Sequence, residues 1–485
     1  MPTIPYRRWG ARRVGLIAGP LLFLLAQLFF HPPGLGPEGR AIFAATLWIA
    51  AWWVTEAIPI AATSLLPIVL FPLLGALDIR TVSAAYGHPL IFLFMGGFII
   101  AAAIERWGLH QRIALNIIYR LGNQAASLIL GFMLATALLS MFISNTATAV
   151  MMMPIGIAVA KQLAGQGARL PAFEKALMLG IAYAASIGGV ATIIGTPPNL
   201  VLIGVIEELY QERISFAEWM LIGLPVSCTL LALCWLYLVR VAFPLSKTKL
   251  PGGKDEVGRQ LRGLGRISFE EKLVLLVFSA TALAWILRPF LLNPYLPALD
   301  DTIIALGGAL AMFLLPARRV EKFQLPRLLD WQAAVKIPWG IILLFGGGLA
   351  LAEGFKNSGL AEWLALQLGL LSNLPFFALL LTIVLGVNLL TEVTSNVATA
   401  SMILPILAAI AEGLGVPPMM LMAGAALAAS CAFMLPVATP PNAVVFGSGY
   451  LSIPDMVRAG IWLNLVSSLV VSLAVYFLLP LIWEL

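Results

Sequence analysis

Long apolar blocks, interrupted by short polar words, set the pattern of this chain. A helix that crosses a membrane needs roughly 20 mostly apolar residues. Blocks of that kind lie at about 13–31, 40–58, 60–77, 88–105, 175–210, 217–243, 272–291, 301–316, 337–355, 418–450 and 458–483, eleven in all. Two further apolar stretches, about 124–160 and 374–411, each carry a polar word near the middle. Each is long enough for two short helices with a break between them, which predicts hairpins that enter and leave the membrane on one side. Between the fourth block and the first hairpin, Arg106 and Arg112 precede Ile113, Ile117, Ile118 and Leu121. That pattern suits a short amphipathic helix on the membrane surface.

Composition fixes the class. Of 485 residues, 61% are hydrophobic and 11% charged, and the mean hydropathy is +0.97. Soluble domains carry about 25% charged residues. The pattern therefore predicts an all-α polytopic membrane protein with eleven transmembrane helices and two re-entrant hairpins. The net charge of +6 is no nucleic-acid signal, because lysine and arginine gather in a few loops as they do on the cytoplasmic side of membranes. Arg7, Arg8, Arg12 and Arg13 precede the first block, and no small-residue cleavage site stands out, so it reads as an uncleaved span with a cytoplasmic start. Two later loops are basic: Lys247, Lys249, Lys254, Arg259, Arg262, Arg266 and Lys272, then Arg318, Arg319, Lys322 and Arg327. Eleven spans and two hairpins bring both loops to the cytoplasm and leave the C-terminus outside. The expected location is the plasma membrane, the inner membrane in a bacterium.

The polar words come in pairs. Ser144-Asn145-Thr146-Ala147-Thr148-Ala149 runs on to Pro154-Ile155, and Ser395-Asn396-Val397-Ala398-Thr399-Ala400 runs on to Pro405-Ile406, with eight of twelve positions identical. Thr196-Pro197-Pro198-Asn199 is matched by Thr439-Pro440-Pro441-Asn442. Gly96-Gly97 is matched by Gly346-Gly347. The offsets are 250, 251 and 243 residues in unchanged order, which marks a duplication. The glycine pairs fall in the fourth and ninth spans, an odd separation, so the two five-helix repeats are inverted. Inverted repeats mark secondary transporters that bind substrate near the midplane.

Within lipid, a backbone that leaves its helix must line a wet cavity or find partners. Pro197-Pro198 and Pro440-Pro441 forbid a continuous helix, so the fifth and tenth spans are expected to break near mid-membrane. Broken helices present N–H groups that favour anions and carbonyls that favour cations. Ser144, Asn145 and Thr146 can donate to a carboxylate, and their oxygens suit a hard cation such as sodium. No Arg, Lys or His lies in these words, so a bound dianion needs a positive partner, which a co-bound cation supplies. The glycine pairs suit helix crossings. Glu56 sits near a span end, where it suits anchoring as well as function. Glu392 is either a costly carboxylate in the membrane or one facing water at the hairpin. Cys228, Cys234 and Cys431 lie in apolar runs without metal-ligand spacing. The three histidines, His31, His88 and His110, fall at span ends, so a Ser–His pair for an intramembrane enzyme is hard to build. No enzyme and no organic cofactor is expected.

At these residues the chain resembles the divalent anion/sodium symporter (DASS) family, whose members carry dicarboxylates, citrate or sulfate. The matching words are Trp53-Val54-Thr55-Glu56-Ala57-Ile58-Pro59, Ile337-Pro338-Trp339-Gly340, both Ser-Asn words and both Thr-Pro-Pro-Asn words. The resemblance implies a homodimer in the lipid bilayer, with a static scaffold domain (1–122 and 244–372) and a transport domain (123–243 and 373–485) that moves as an elevator. It implies that Ser144, Asn145 and Thr146 hold one substrate carboxylate, and Ser395, Asn396, Thr439 and Pro440 the other. It implies one sodium at Ser140, Ser144, Asn145 and Gly195, and a second at Thr391, Thr394, Asn396 and the Ala438 carbonyl. Val397 departs from the family word, which has threonine there, so the two halves of the site are unequal. The function so implied is sodium-coupled import of C4-dicarboxylates such as succinate, malate or fumarate. The rivals are a sodium-independent dicarboxylate exchanger and a sulfate or citrate carrier. Thr391 stands four residues before Ser395 as Ser140 does before Ser144, which favours the sodium-coupled branch.

Overall fold

The computed structural model describes residues 6–121, 124–165, 170–245, 253–318, 326–367 and 375–483. Lys247, Lys249, Arg319 and Lys322 of the basic loops, and the expected boundaries at 122–123 and 372–373, lie outside the described residues. Among the described residues the regular elements are helices, with one isolated bridge between Pro316 and Arg327.

The chain opens with α1 (Tyr6–Phe29) packed along α2 (Pro37–Thr55), where Trp52 Nε1 donates to Gly15 O at 2.9 Å. Glu56 ends α2 in the left-handed conformation, φ 48°. The block 60–77 differs from expectation. It forms two short helices, α3 (Ile60–Thr63) and α4 (Leu66–Leu73), with a turn at Ser64–Leu65. Pro67 sits in the first turn of the second helix, where its missing N–H leaves no intrahelical bond unmade, which favours a restart there. Then come α5 (Ile79–Ala84), α6 (Pro89–Arg106) and α7 (Leu109–Arg120). The surface helix expected after Arg106 is α7. It buries Leu109, Ala114, Leu115 and Ile118 on one side.

The first motif stretch is a hairpin of α8 (Ala125–Ser140) and α9 (Asn145–Gly165), turned by residues 141–144. The broken fifth span is α10 (Pro171–Gly189) and α11 (Pro197–Tyr210), followed by α12 (Phe216–Tyr237), which loosens into a π-turn at Leu238–Ala242. A short helix, α13 (Gly253–Gly263), shows that the hairpin is re-entrant. Its Lys254 lies over the Tyr119 ring at the approach to α8, and its Arg259 reaches Gln162 at the end of α9. Both ends of the hairpin therefore lie on one side.

The second half repeats this plan. It runs through α14 (Phe269–Leu287), α15 (Asp301–Leu314), α16 (Trp331–Ala334), α17 (Trp339–Asn357) and α18 (Leu360–Gln367). The second hairpin is α19 (Phe376–Thr391) and α20 (Asn396–Leu414), and the broken tenth span is α21 (Pro418–Ala429) and α22 (Pro440–Phe446). The chain closes with α23 (Ile453–Leu473) and α24 (Leu479–Trp483). Helix caps repeat as well. Asp78 caps α5 as Asp330 caps α16, and the capping box Ser215–Glu218 of α12 returns as Ser452–Asp455 of α23. Eight helical segments among the described residues are long and apolar enough to cross a membrane, two of them the returning arms Asn145–Leu163 and Asn396–Leu414. Shorter apolar helices, α8, α15, α19 and α21 among them, complete the set.

The half-helices α10 and α21 are buried nearly all round, as a helix apolar on every face requires. Close approach there rests on glycine. A Cβ on Gly188 would lie 2.3 Å from Ala137 O and 2.5 Å from Ala137 Cα, both backbone atoms that cannot yield. Gly386 on α19 faces open space. Gly188→Ala is expected to destabilise the protein by about 1–3 kcal/mol, read as a lower melting temperature in detergent. Gly386→Ala is expected to be neutral or to stabilise by up to about 1 kcal/mol. Equal melting temperatures for the two variants would remove the packing argument.

Candidate functional site

Each hairpin tip is tied to the broken helix beside it by the same three residues. In the first half, Ser140 Oγ lies 2.6 Å from the Asn145 side-chain amide and 2.7 Å from Ala185 O. In the second, Thr391 Oγ1 lies 2.8 Å from Asn396 Oδ1 and 3.1 Å from Ala429 O. Ser140 and Thr391 are fully buried, so a hydroxyl at the last turn of one arm positions the asparagine that starts the next.

The Asn145 amide is ringed by oxygen. Its inner atom lies 2.6 Å from Ser140 Oγ and 3.2 Å from the carbonyls of Ala185 and Gly195. With nitrogen turned inward, the amide donates to all three. With oxygen turned inward, the single proton of the Ser140 hydroxyl faces the amide oxygen and the Ala185 carbonyl, and the Gly195 carbonyl gains no donor from the amide. That second arrangement favours a positive charge at its centre, and an oxygen-rich set of this kind suits a hard cation. Gly189 and Gly195 make room for it, because a Cβ on Gly189 would lie 2.6 Å from Asn145 Oδ1 and one on Gly195 would lie 2.4 Å from Gly189 O.

The helix breaks are stapled shut from behind. Asn199 Nδ2 donates to Thr192 O (2.8 Å), with Gly189 O and Val190 O at 3.3 and 3.2 Å. Asn442 Nδ2 donates to Leu435 O (3.0 Å) and Ala432 O (3.3 Å). Both asparagines are fully buried. The last residue of each Thr-Pro-Pro-Asn word thus holds the unwound loop, while Thr196, Pro197, Thr439, Pro440 and Pro441 face the cavity.

Glu392 is buried, not at a water-facing hairpin. Its carboxylate accepts N–H bonds from Phe433 (2.7 Å), Met434 (2.9 Å) and Leu435 (2.9 Å), and from Asn464 Nδ2 (2.7 Å). Successive amides curled around an anion form a nest. The equivalent position of the first repeat is Met141, whose carbonyl accepts the Thr192 hydroxyl. One repeat fastens its tip to its break through a hydroxyl, the other through a full negative charge.

These pieces enclose one cavity of about 770 Å³. Ser144, Asn145 and Thr146 line it from one repeat, and Ser395, Asn396 and Val397 from the other. Gly195, Ala438, Thr439 and Pro440 line it from the breaks. Helices α9 and α20 begin at this cavity, and the amides of Asn145, Thr146, Asn396 and Val397 stand in their first turns, where no intrahelical partner exists. Phe94, Phe98 and Ile341 form an apolar wall opposite. The lining holds no Lys, Arg or His, and its one ionisable side chain is Glu56.

The family described as the sodium:sulfate symporter transmembrane region matches residues 11–483. The chain belongs to that family. The sodium-dependent dicarboxylate transporter SdcS of Staphylococcus saprophyticus is 50% identical over 475 residues, covering 96% of this chain and 91% of its own. SdcS of Staphylococcus aureus is 49% identical over 477 residues, covering 97% and 91%. Two solved structures share the fold. The YdaH transporter of Alcanivorax borkumensis superposes with a TM-score of 0.55 at 16% identity, covering 98% of each chain. MtrF of Neisseria gonorrhoeae superposes at 0.58 and 12% identity, covering 98% of this chain and 95% of its own. The chain is thus a multi-pass membrane protein of the sodium:sulfate symporter family, as its repeated words implied.

In this family member Ser144, Asn145, Thr146, Ser395, Asn396, Val397, Thr439 and Pro440, the residues expected at the substrate, all line the cavity. Of those expected to hold sodium, Ser144, Asn145, Gly195, Thr394, Asn396 and Ala438 line it too, while Ser140 and Thr391 stand behind the asparagines. Thr394 donates back to Leu390 O (2.9 Å) and lies 2.6 Å from Thr399 Oγ1. Sequence reasoning missed Glu56 as a lining residue, although it lies inside one of the family words. It also missed the nest around Glu392, for which only the presence of an acidic residue beside the motif gave a signal.

Proposed function

We propose that the protein is a secondary active transporter that imports C4-dicarboxylates, such as succinate, malate or fumarate, together with sodium ions. The observation that carries this reading is the cavity itself. Two inverted copies of one tip present hydroxyls and unpaired amides to a shared space that holds no cationic side chain. Two such donor sets suit a substrate with an anionic group at each end. A dianion there has no fixed counter-charge, and burying it unpaired is very costly. Sodium at the Asn145 and Asn396 oxygen clusters supplies that charge, which couples the two cargoes. The printed names of the relatives at about 50% identity support the same pair of cargoes.

In this reading Ser144, Asn145 and Thr146 hold one carboxylate, and Ser395, Asn396, Thr439 and Pro440 hold the other. Val397 gives up the hydroxyl of the family word but keeps its backbone amide, so the second half holds its carboxylate with one donor fewer. One sodium sits with Ser140, Ser144, Asn145 and Gly195, and the other with Thr391, Thr394, Asn396 and Ala438. Residues 123–243 and 373–485 form the moving domain, and 1–122 and 244–372 the scaffold of a homodimer. Supporting an elevator slide, glycines line the contact between the two parts: Gly97 meets Ile194, Gly204 meets Phe345, and Gly348 meets Ser401. In the same reading the N-terminus is cytoplasmic and the C-terminus outside, an orientation that the basic loops support.

The test is uptake of labelled succinate into proteoliposomes with an inward sodium gradient, with equal potassium, and with dicarboxylate preloaded inside. Concentrative uptake that needs sodium and no internal dicarboxylate is expected. Uptake unchanged by removing sodium, or dependent on internal dicarboxylate, would sink this version in favour of the exchanger. Excess sulfate or citrate is expected to compete weakly.

A further inference from the structure

Away from the central cavity, where α12 ends and α23 begins, two adjoining grooves of about 630 and 300 Å³ share Tyr237, Val241, Trp462 and Val466 and so form one channel on the outer surface. Its inner end is apolar, floored by Leu233, Leu236 and Leu463. Leu233 to Phe243 spans roughly 15 Å of helix, about the hydrocarbon depth of one leaflet. Its other end carries two arginines, Arg240 from the π-turn and Arg458 from α23. Both are exposed, and neither guanidinium has a hydrogen bond or ion pair among the described residues. The acidic residue at the same rim, Asp455, is already engaged by Lys175 Nζ at 2.7 Å. The rim is therefore positive. Trp462 is 60% exposed beside it, and Tyr237 donates to Arg458 O. Aromatic rings of this kind sit at headgroup level.

We propose that this groove binds an anionic phospholipid, with its phosphate on Arg240 and Arg458 and one acyl chain laid along the apolar end. Guanidinium forks match phosphate oxygens pairwise, and basic pockets between transmembrane helices are suited to anionic headgroups. A zwitterionic headgroup brings an ammonium that the same rim repels. The sidedness agrees, because the arginines stand at the end of α12 from which the basic loop leaves, the side on which anionic lipids attract basic residues. Helices α12 and α23 are the last full helices of the two repeats, so the lipid would clamp one repeat to the other at a place where they meet edge to edge.

Native mass spectrometry of the full-length protein, released from detergent containing equal phosphatidylglycerol and phosphatidylcholine, tests this. Wild type is expected to retain phosphatidylglycerol preferentially. Arg240→Gln with Arg458→Gln is expected to lose that preference, by about fivefold per arginine, with an unchanged melting temperature in lipid-free detergent. Trp462→Ala is expected to weaken retention of both lipids alike. Equal retention of the two lipids by wild type, or undiminished preference in the double variant, would show annular lipid only and overturn the proposal. Displacement by free glycerol phosphate at matched concentration would overturn it in favour of a soluble anion site. Should the double variant not fold, the wild-type preference and the glycerol phosphate competition still decide.

Discussion

Asn145→Ala and Asn396→Ala are each expected to abolish sodium-driven uptake while leaving a folded protein. Each asparagine joins two jobs in one amide. Its backbone N–H opens α9 or α20 toward the cavity, and its side chain sits against a buried hydroxyl, Ser140 or Thr391. Truncation removes the amide oxygen that, turned inward, joins the carbonyls of Ala185 and Gly195 in the cation cluster. A hydrogen bond to a charged group contributes about 1.5–3 kcal/mol, so apparent sodium affinity is expected to fall by at least about tenfold per site. Asn145→Asp separates the two cargoes. The added charge favours a cation among those oxygens and repels the substrate carboxylate, so sodium is expected to protect this variant from thermal unfolding at lower concentrations than wild type while succinate uptake is lost. Uptake at the wild-type rate in both alanine variants would remove the case for the paired tips.

The residues that line the cavity were legible because polar, helix-breaking words are rare in apolar sequence and these came twice. Ser144, Asn145, Ser395, Asn396 and the two threonine–proline breaks converge as the repeat required. What was not legible depends on main-chain partners distant in sequence. Asn199 and Asn442 stood out only as the ends of the repeated Thr-Pro-Pro-Asn words; they bind the carbonyls of the loops seven to ten residues before them, and nothing in composition reports which way an amide turns. The block 60–77 had the hydropathy of a span, but its length gave no sign that Pro67 would start a second helix. Glu56 was legible as a residue near a span end, suited to anchoring as well as to function. Its approach to the cavity follows from the left-handed turn that ends α2, a backbone choice that a glutamate does not announce.

Glu392 carries the second large expectation. Its partners, the amides of Phe433, Met434 and Leu435, lie 41 to 43 residues on, in the unwound loop that leads to Ala438 and Thr439 of the cavity. Replacing the carboxylate by leucine leaves the N–H groups of Met434 and Leu435 and the Asn464 amide without their acceptor, while the Phe433 N–H keeps only Asn464 Oδ1 at 3.2 Å. Each such loss costs about 1–3 kcal/mol, so Glu392→Leu is expected not to yield stable protein. Glu392→Gln is the informative variant. An oxygen kept at the Oε1 position still serves Phe433, Met434 and Asn464, while its NH2 group confronts the Leu435 N–H that Oε2 accepted. One unsatisfied donor predicts a loss of about 1–3 kcal/mol, read as a lower melting temperature. The change also removes a negative charge adjacent in sequence to Thr391, beside the second oxygen cluster. Attraction between that charge and a cation is strong where water is scarce, so Glu392→Gln is expected to raise the sodium concentration for half-maximal uptake and to reduce the steepness of that dependence. Met141 holds the same place in the first repeat without a charge, so the loss should fall on one of two sodium sites and leave the other. A Glu392→Gln variant with wild-type sodium dependence would confine the carboxylate to holding the loop. Wild-type stability in Glu392→Leu would overturn even that role.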